Sequence, residues 1–114
     1  MTLHDLESLP QARIVQPDAG ESPVIRGAYT SDLLSDVMAN APEDAVLITL
    51  QAHTNTVAVA TLAGLRVILV CHNRPIPADM IDAARRERVA IAVTSASQYE
   101  ASWRVHRLLE PGPP

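Results

Sequence analysis

Two six-residue runs, Ala45-Val46-Leu47-Ile48-Thr49-Leu50 and Arg66-Val67-Ile68-Leu69-Val70-Cys71, are almost continuously apolar. A strand with one wet face alternates apolar and polar side chains, so a run without alternation reads as a strand covered on both faces, as in a parallel sheet. Parallel neighbours need a crossover, and helical patterns lie where crossovers are required. Leu33, Leu34, Val37, Met38 and Ala41 share one helical face, with Thr30 or Ser31 as cap and Pro42 beyond the end. A second helix spans about Asn55 to Ala63 and stops at Gly64, suited to the left-handed C′ position. It is apolar nearly all round, so both its sides need cover.

A third helix opens at Pro77, with Asp79 and Asp82 early, Arg85, Arg86 and Arg88 late, and Asp82–Arg86 an i,i+4 pair. A fourth begins with the capping box Ser97-Gln98-Tyr99-Glu100 and buries Ala101, Val105, Leu108 and Leu109. Shorter strand candidates are Arg13-Ile14-Val15, Val24-Ile25-Arg26 and Ala90-Ile91-Ala92-Val93, the first two separated by the turn-forming residues 17–23. The expected fold is α/β: a small, mostly parallel sheet of four or five strands flanked by about four helices. It forms a single domain over residues 12–109, with a loosely ordered N-terminus (1–11) and a Pro-rich tail (110–114) that frays.

Composition narrows the function. The 114 residues carry a formal charge of −4 and all nine basic residues are arginines, with no basic face, which argues against nucleic-acid binding. One Cys excludes an intramolecular disulfide and a four-Cys metal site within a chain. No apolar run reaches the ~20 residues of a membrane span, and the start lacks a basic signal-peptide region, so a cytoplasmic location is expected. No cofactor or metal site is expected, because no metalloprotease, nucleophile-elbow or phosphate-loop motif occurs.

In a parallel sheet the strands' carboxyl ends share one edge. That places Tyr29, Thr30, Ser31 and Asp32, then Gln51, His53 and Asn55, then His72 on one rim as a candidate site for a small polar ligand. Ser31 and Asn55 lie beside helix N-termini suited to an anion. Helix capping alone accounts for Thr54, Asn55, Thr94 and Ser95, but not for Gln51, His53 and His72 together. Asp36 is explained by the helix dipole, and residues 85–88 by a solvated helix end. Cys71 is a candidate nucleophile with His53 as base, weighed against the tendency of Cys to be buried. On the last helix Tyr99, Trp103 and His106 recur at i, i+4 and i+7 opposite the core face, a stripe expected to form a homodimer contact.

The run Gly27-Ala28-Tyr29-Thr30-Ser31-Asp32-Leu33-Leu34-Ser35-Asp36-Val37-Met38-Ala39-Asn40-Ala41, the segment Ile48-Thr49-Leu50-Gln51-Ala52-His53-Thr54-Asn55 and the Arg-Pro-Ile-Pro segment at 74–77 resemble stand-alone members of the DRTGG-domain family. The resemblance runs from Val24 to Leu109. The eponymous string is absent, and Gly27-Ala28 stands where related chains tend to have a Gly-Gly pair. The resemblance implies an α/β domain similar to the N-terminal domain of HPr kinase/phosphorylase, without that enzyme's phosphate-binding loop. It also implies a non-catalytic, regulatory, homodimeric role, with an adenine nucleotide as first candidate ligand. Its alternative is an adaptor for a redox (hydrogenase-like) or sensor-kinase partner with no small ligand. A thiol enzyme using Cys71 is a third reading.

Overall fold

The structure, a computed structural model, describes residues 1–20 and 24–110. The residues of the turn at 21–23 and of the expected fraying tail at 111–114 lie outside that set. Five strands form one sheet: β1 (Arg13–Gln16), β2 (Gly27–Thr30), β3 (Ala45–Thr49), β4 (Val67–Val70) and β5 (Ala90–Val93), in spatial order β1-β5-β4-β3-β2. β2 to β5 are mutually parallel and β1 closes the β5 edge antiparallel. Four helices follow the strands: α1 (Leu34–Asn40), α2 (Thr54–Ala63), α3 (Ala78–Glu87) and α4 (Gln98–Leu109). This is the mostly parallel α/β domain that the two apolar runs demand.

The strands advance in one direction from β2 to β5, so right-handed crossovers put α1, α2 and α3 on a single face. Val37, Val57, Ala60, Met80 and Ala84 from these helices bury Leu47, Ile68, Val70, Ile91 and Val93. The alternate residues Val46, Ile48, Val67, Leu69, Ala90 and Ala92 face the other way, against Ala101 and Val105 of α4. No described helix is long and apolar enough to cross a membrane.

That second face needs more cover than one helix supplies, and residues 1–11 supply it. Expected to be loosely ordered, they instead contain a 3₁₀ helix, Leu3–Ser8, that buries Leu3 and Leu6, with Leu9 buried just after it. Polar ties fix the segment: Thr94 Oγ1 donates to Pro10 O at 2.6 Å, and the Ser95 amide and hydroxyl donate to the same oxygen. Thr94 and Ser95, read as caps, therefore serve as anchors for the N-terminal segment.

Several boundaries differ from expectation. The strand expected at 24–26 lies at Gly27–Thr30, in register with Ala45–Ile48. Neither Gly27 nor Ala28 has a positive φ, so extended backbone accepts Ala where a second glycine was expected. α1 begins at Leu34 rather than at Thr30 or Ser31, because Ser31 Oγ accepts the Leu33 amide at 3.2 Å in a separate turn. Gly64 closes α2 at φ +77°, where a Cβ would approach Glu43 Cγ to 3.0 Å. Asp82 pairs with Arg85 at 3.5 Å rather than with Arg86. Ser97 accepts the Glu100 amide at 3.1 Å, but the reciprocal half of the capping box is missing because Glu100 turns to Arg104 at 2.9 Å.

Candidate functional site

The carboxyl rim of the sheet is organised by Asp32, which follows β2. Its Oδ1 accepts from Thr49 Oγ1 at 3.0 Å, the Leu50 amide at 2.7 Å and Gln98 Nε2 at 3.1 Å. Its backbone carbonyl accepts Gln51 Nε2 at 2.9 Å. Gln51 Oε1 in turn meets His53 Nε2 at 3.1 Å, and the Gln51 carbonyl accepts Thr56 Oγ1 of α2 at 2.9 Å. Beside this, Thr30 Oγ1 and Ser102 Oγ lie 2.7 Å apart. One carboxylate thus ties the loop after β2, the end of β3 and the first residue of α4.

Of the expected rim residues, the fold brings Asp32, Gln51 and His53 into this hydrogen-bonded group, with Thr30 linked to α4 and Ser31 held in its local turn. Tyr29 does not join it. Alternation along β2 turns Tyr29 to the α1 side, where its hydroxyl donates to Asp36 Oδ2 at 2.8 Å. Asn40 Nδ2 donates to the other carboxylate oxygen, also at 2.8 Å. The Tyr29 and Asn40 donors hold the Asp36 carboxyl below its usual range, and the same carboxylate pushes the Tyr29 phenol up. Asp36, assigned to the helix dipole from sequence, is thus also the anchor for Tyr29.

Asn55 and His72 are exposed, and among the described residues their side chains make no hydrogen bond. The chain leaves β4 at Val70 and turns through His72 and Asn73, both with left-handed backbone at φ 59° and 50°. The turn is held by their amides, which donate to Ala96 O and Thr94 O. Cys71 stays in the core while His72 faces solvent, so the two do not act together.

The third reading, thiol chemistry at Cys71, has no support in this geometry. Burial, and secondarily the charge of Asp32, push the Cys71 thiol up to about 12, the reverse of the depressed value a nucleophilic thiolate needs. His53 is engaged with Gln51 instead. Among the described residues no cluster of three or more His, Cys, Asp or Glu side chains gathers as a metal site would.

The rim extends further than the sequence indicated. Gln98 and Ser102, one turn apart on α4, both reach it, yet their positions read only as the start of a capped helix. Their i,i+4 spacing between the core face and the aromatic stripe is the signal that could have found them. On α4 the side chains of Tyr99 (82%), Trp103 (40%) and His106 are exposed. Arg104 and Arg107, not singled out from sequence, lie 4.7 and 5.9 Å from the Trp103 ring centre. They line an open cleft of about 240 Å³ with Ser8, Trp103 and Leu108. A second cleft, of about 300 Å³, runs between α2 and α3.

No protein-family model and no curated protein matches this chain. Among solved structures it is similar to the CBS and DRTGG domains of the regulatory region of Clostridium perfringens pyrophosphatase, complexed with the activator diadenosine tetraphosphate. The TM-score is 0.74 at 13% identity, over 90% of this chain. The matched part is 44% of the other chain, so this protein spans less than half of that regulatory region. At that identity the likeness is one of fold.

Proposed function

We propose that this chain is a non-catalytic regulatory module of the DRTGG type that works as a homodimer and takes a small polar ligand, an adenine nucleotide first among candidates, at the carboxyl rim of its sheet. Residues 12–109 form its functional unit, built onto the N-terminal segment. The observation that carries the reading is the Asp32 network, because Gln98 and Ser102 link the rim directly to α4. A ligand gathered by Thr30, Ser31, His53, Asn55 and His72 would compete for these bonds and shift α4. Tyr99, Trp103 and His106, which α4 exposes, would pass that shift to a bound protein. The likeness to a regulatory region supports the same role. It brings the nucleotide class as a candidate, since the structure it resembles holds diadenosine tetraphosphate.

Trp103 is the sole Trp, so its emission reports on α4 without a label. Titration with AMP, ADP, ATP and diadenosine tetraphosphate should give a saturable change in Trp103 emission and a rise in melting temperature. Ligand at 100 times its Kd adds about 2.7 kcal/mol of stability. Gln98→Ala should keep the thermal shift and lose the emission change. A panel that moves neither signal would leave the ligand part of the proposal without support.

A second reading, an adaptor with no small ligand, draws on Trp103 and its two arginines. Among the described residues Arg107 has no ion-pair partner, and the cleft suits an acidic segment of a partner such as a redox or sensor-kinase protein. A null result from the nucleotide panel favours it.

A further inference from the structure

The sheet has two edge strands, β1 and β2, each four residues long. An edge strand presents a row of backbone amides and carbonyls without a neighbour, and proteins blunt such a row with a charge, a proline or a bulge. β1 is blunted: it opens with the exposed Arg13, and its register with β5 breaks between Ile14 and Gln16. β2, Gly27-Ala28-Tyr29-Thr30, has no charge, no proline and no break in its register with β3. The end of its ladder shows which side faces inward, because the Ser31 amide donates to Ile48 O at 3.2 Å. Alternate residues face the same neighbour, so Tyr29 and Ser31 turn to β3 while Ala28 and Thr30 turn outward. Among the described residues the amides and carbonyls of Ala28 and Thr30 have no backbone partner. Just before β2 the same edge is in use. The Arg26 amide points inward to Asp44 O, and Ile25 beside it points outward, its amide donating to Met1 O at 2.7 Å and its carbonyl accepting the Met1 nitrogen at 3.1 Å. Thr2 pairs antiparallel with Val24. The edge thus holds an antiparallel segment up to Ile25 and is open at Ala28 and Thr30.

We propose that the outer edge of β2 takes an extended segment of a partner protein, running antiparallel to β2 in line with Met1 and Thr2. Another backbone is the chemistry that fits, because two donor–acceptor pairs on alternate residues, about 6.6 Å apart, match the repeat of a strand. The antiparallel direction is the one this edge already accepts at Ile25, and it is the more stable pairing per residue. Side chains set the kind of segment. Ala28 packs on the α4 side of the sheet and Tyr29 on the α1 side, and the strand itself carries no charge. Opposite Tyr29, β-branched or aromatic residues pair better than charged ones. This surface needs neither a rim ligand nor a second copy of the chain, so it goes beyond the function proposed above and stands independently of it.

Amide hydrogen exchange and peptide binding on the full chain test this. In the chain alone the Ala28 and Thr30 amides should exchange fast and the Tyr29 amide slowly. Selection of phage-displayed random dodecapeptides on the chain should enrich uncharged sequences rich in β-branched and aromatic residues. The strongest of them, added as a synthetic peptide, should slow exchange at Ala28 and Thr30 at least about tenfold. Ala28→Pro removes an outward donor and no ladder bond, a change that edge strands tolerate. It should keep the circular dichroism spectrum and raise the peptide's Kd about tenfold. N-methylation of the peptide at every second residue leaves the protein untouched, and only one of its two alternating patterns should abolish binding. Protection of Ala28 and Thr30 in the chain alone would mean that this edge is already covered, by the chain itself or by a second copy, and overturns the inference. A library that enriches no peptide overturns it too, as does a bound peptide that leaves exchange at both amides unchanged.

Discussion

The two faces of the sheet carry residues from the same strands, one position apart, yet they are covered by different means. On one face lie α1, α2 and α3, put there by the handedness of the crossovers between parallel strands. On the other lie α4 and the N-terminal 3₁₀ helix, elements that no strand connection demands, recruited from the two ends of the chain. Their outer surfaces differ as sharply. The crossover face ends in a helix with no charge, and the other in an aromatic stripe flanked by arginines. A face closed by chain ends depends on those ends for its core.

The largest expected effect tests that dependence. Leu6 is fully buried although it lies in a short terminal turn, and Leu6→Ala should cost about 2–5 kcal/mol, as for other buried leucines. Leu62→Ala, on the crossover face's outer surface, should change the stability of the isolated chain by no more than about 0.5 kcal/mol. Urea unfolding at low protein concentration measures both. Equal costs would show that the N-terminal turn is no part of the core and would erase the contrast between the faces.

Asp32 comes next, because it is where the β3 end of the sheet and α4 are locked together. Asp32→Ala leaves three donors without their acceptor, Thr49 Oγ1, the Leu50 amide and Gln98 Nε2. The expected loss is roughly 1–3 kcal/mol. Asp32→Asn retains a carbonyl oxygen that can accept and should cost less. Gln98→Ala frees only α4 and should cost about 1 kcal/mol. If Gln98→Ala proved as costly as Asp32→Ala, the lock would be a single bond to α4 rather than a joint among three segments.

The contrast between faces also explains what could be read from the sequence. Ala45–Leu50 and Arg66–Cys71 disclose the sheet because a strand buried on both faces has no alternative pattern. The crossover helices follow, with Gly64 ending α2 as its type predicts. The N-terminal segment was illegible because Leu3, Leu6 and Leu9 recur every three residues over too short a span to signal a helix. Their burial comes from a long-range tie, Thr94 to Pro10. At the rim, strand ends could be listed by topology, but which side chains meet depends on loop geometry. Asp32, Gln51 and His53 meet; Tyr29 is lost to the other side by the alternation of β2, a strand displaced from its expected position. Gln98 and Ser102 were invisible because nothing local says that α4 reaches back to β2.

The smallest expected effect concerns the crossover face's own polar tie, Tyr29 to Asp36, and it turns on pH. The donors Tyr29 and Asn40 keep the Asp36 carboxyl below its ordinary value in the folded chain. A depressed carboxyl contributes stability that is fully present above its unfolded value, near 4, and is lost as pH falls through the folded value. Tyr29 is shifted the opposite way: its phenol is raised, chiefly by the bond to Asp36, so the folded chain holds its proton more tightly. That contribution is present below the phenol's unfolded value, near 10, and is lost as pH rises through the folded one. One hydrogen bond therefore weakens the fold at both ends of the pH range and is intact across the middle. Tyr29→Phe removes the donor and should flatten both edges of the urea midpoint against pH, with a small, nearly constant offset between them. Gln98 touches neither Tyr29 nor Asp36, so Gln98→Ala should leave the difference between wild type and Tyr29→Phe as it is. An acid edge equally steep in wild type and Tyr29→Phe would mean that the carboxylate is held by Asn40 alone and that β2 is not fastened to α1 through its tyrosine.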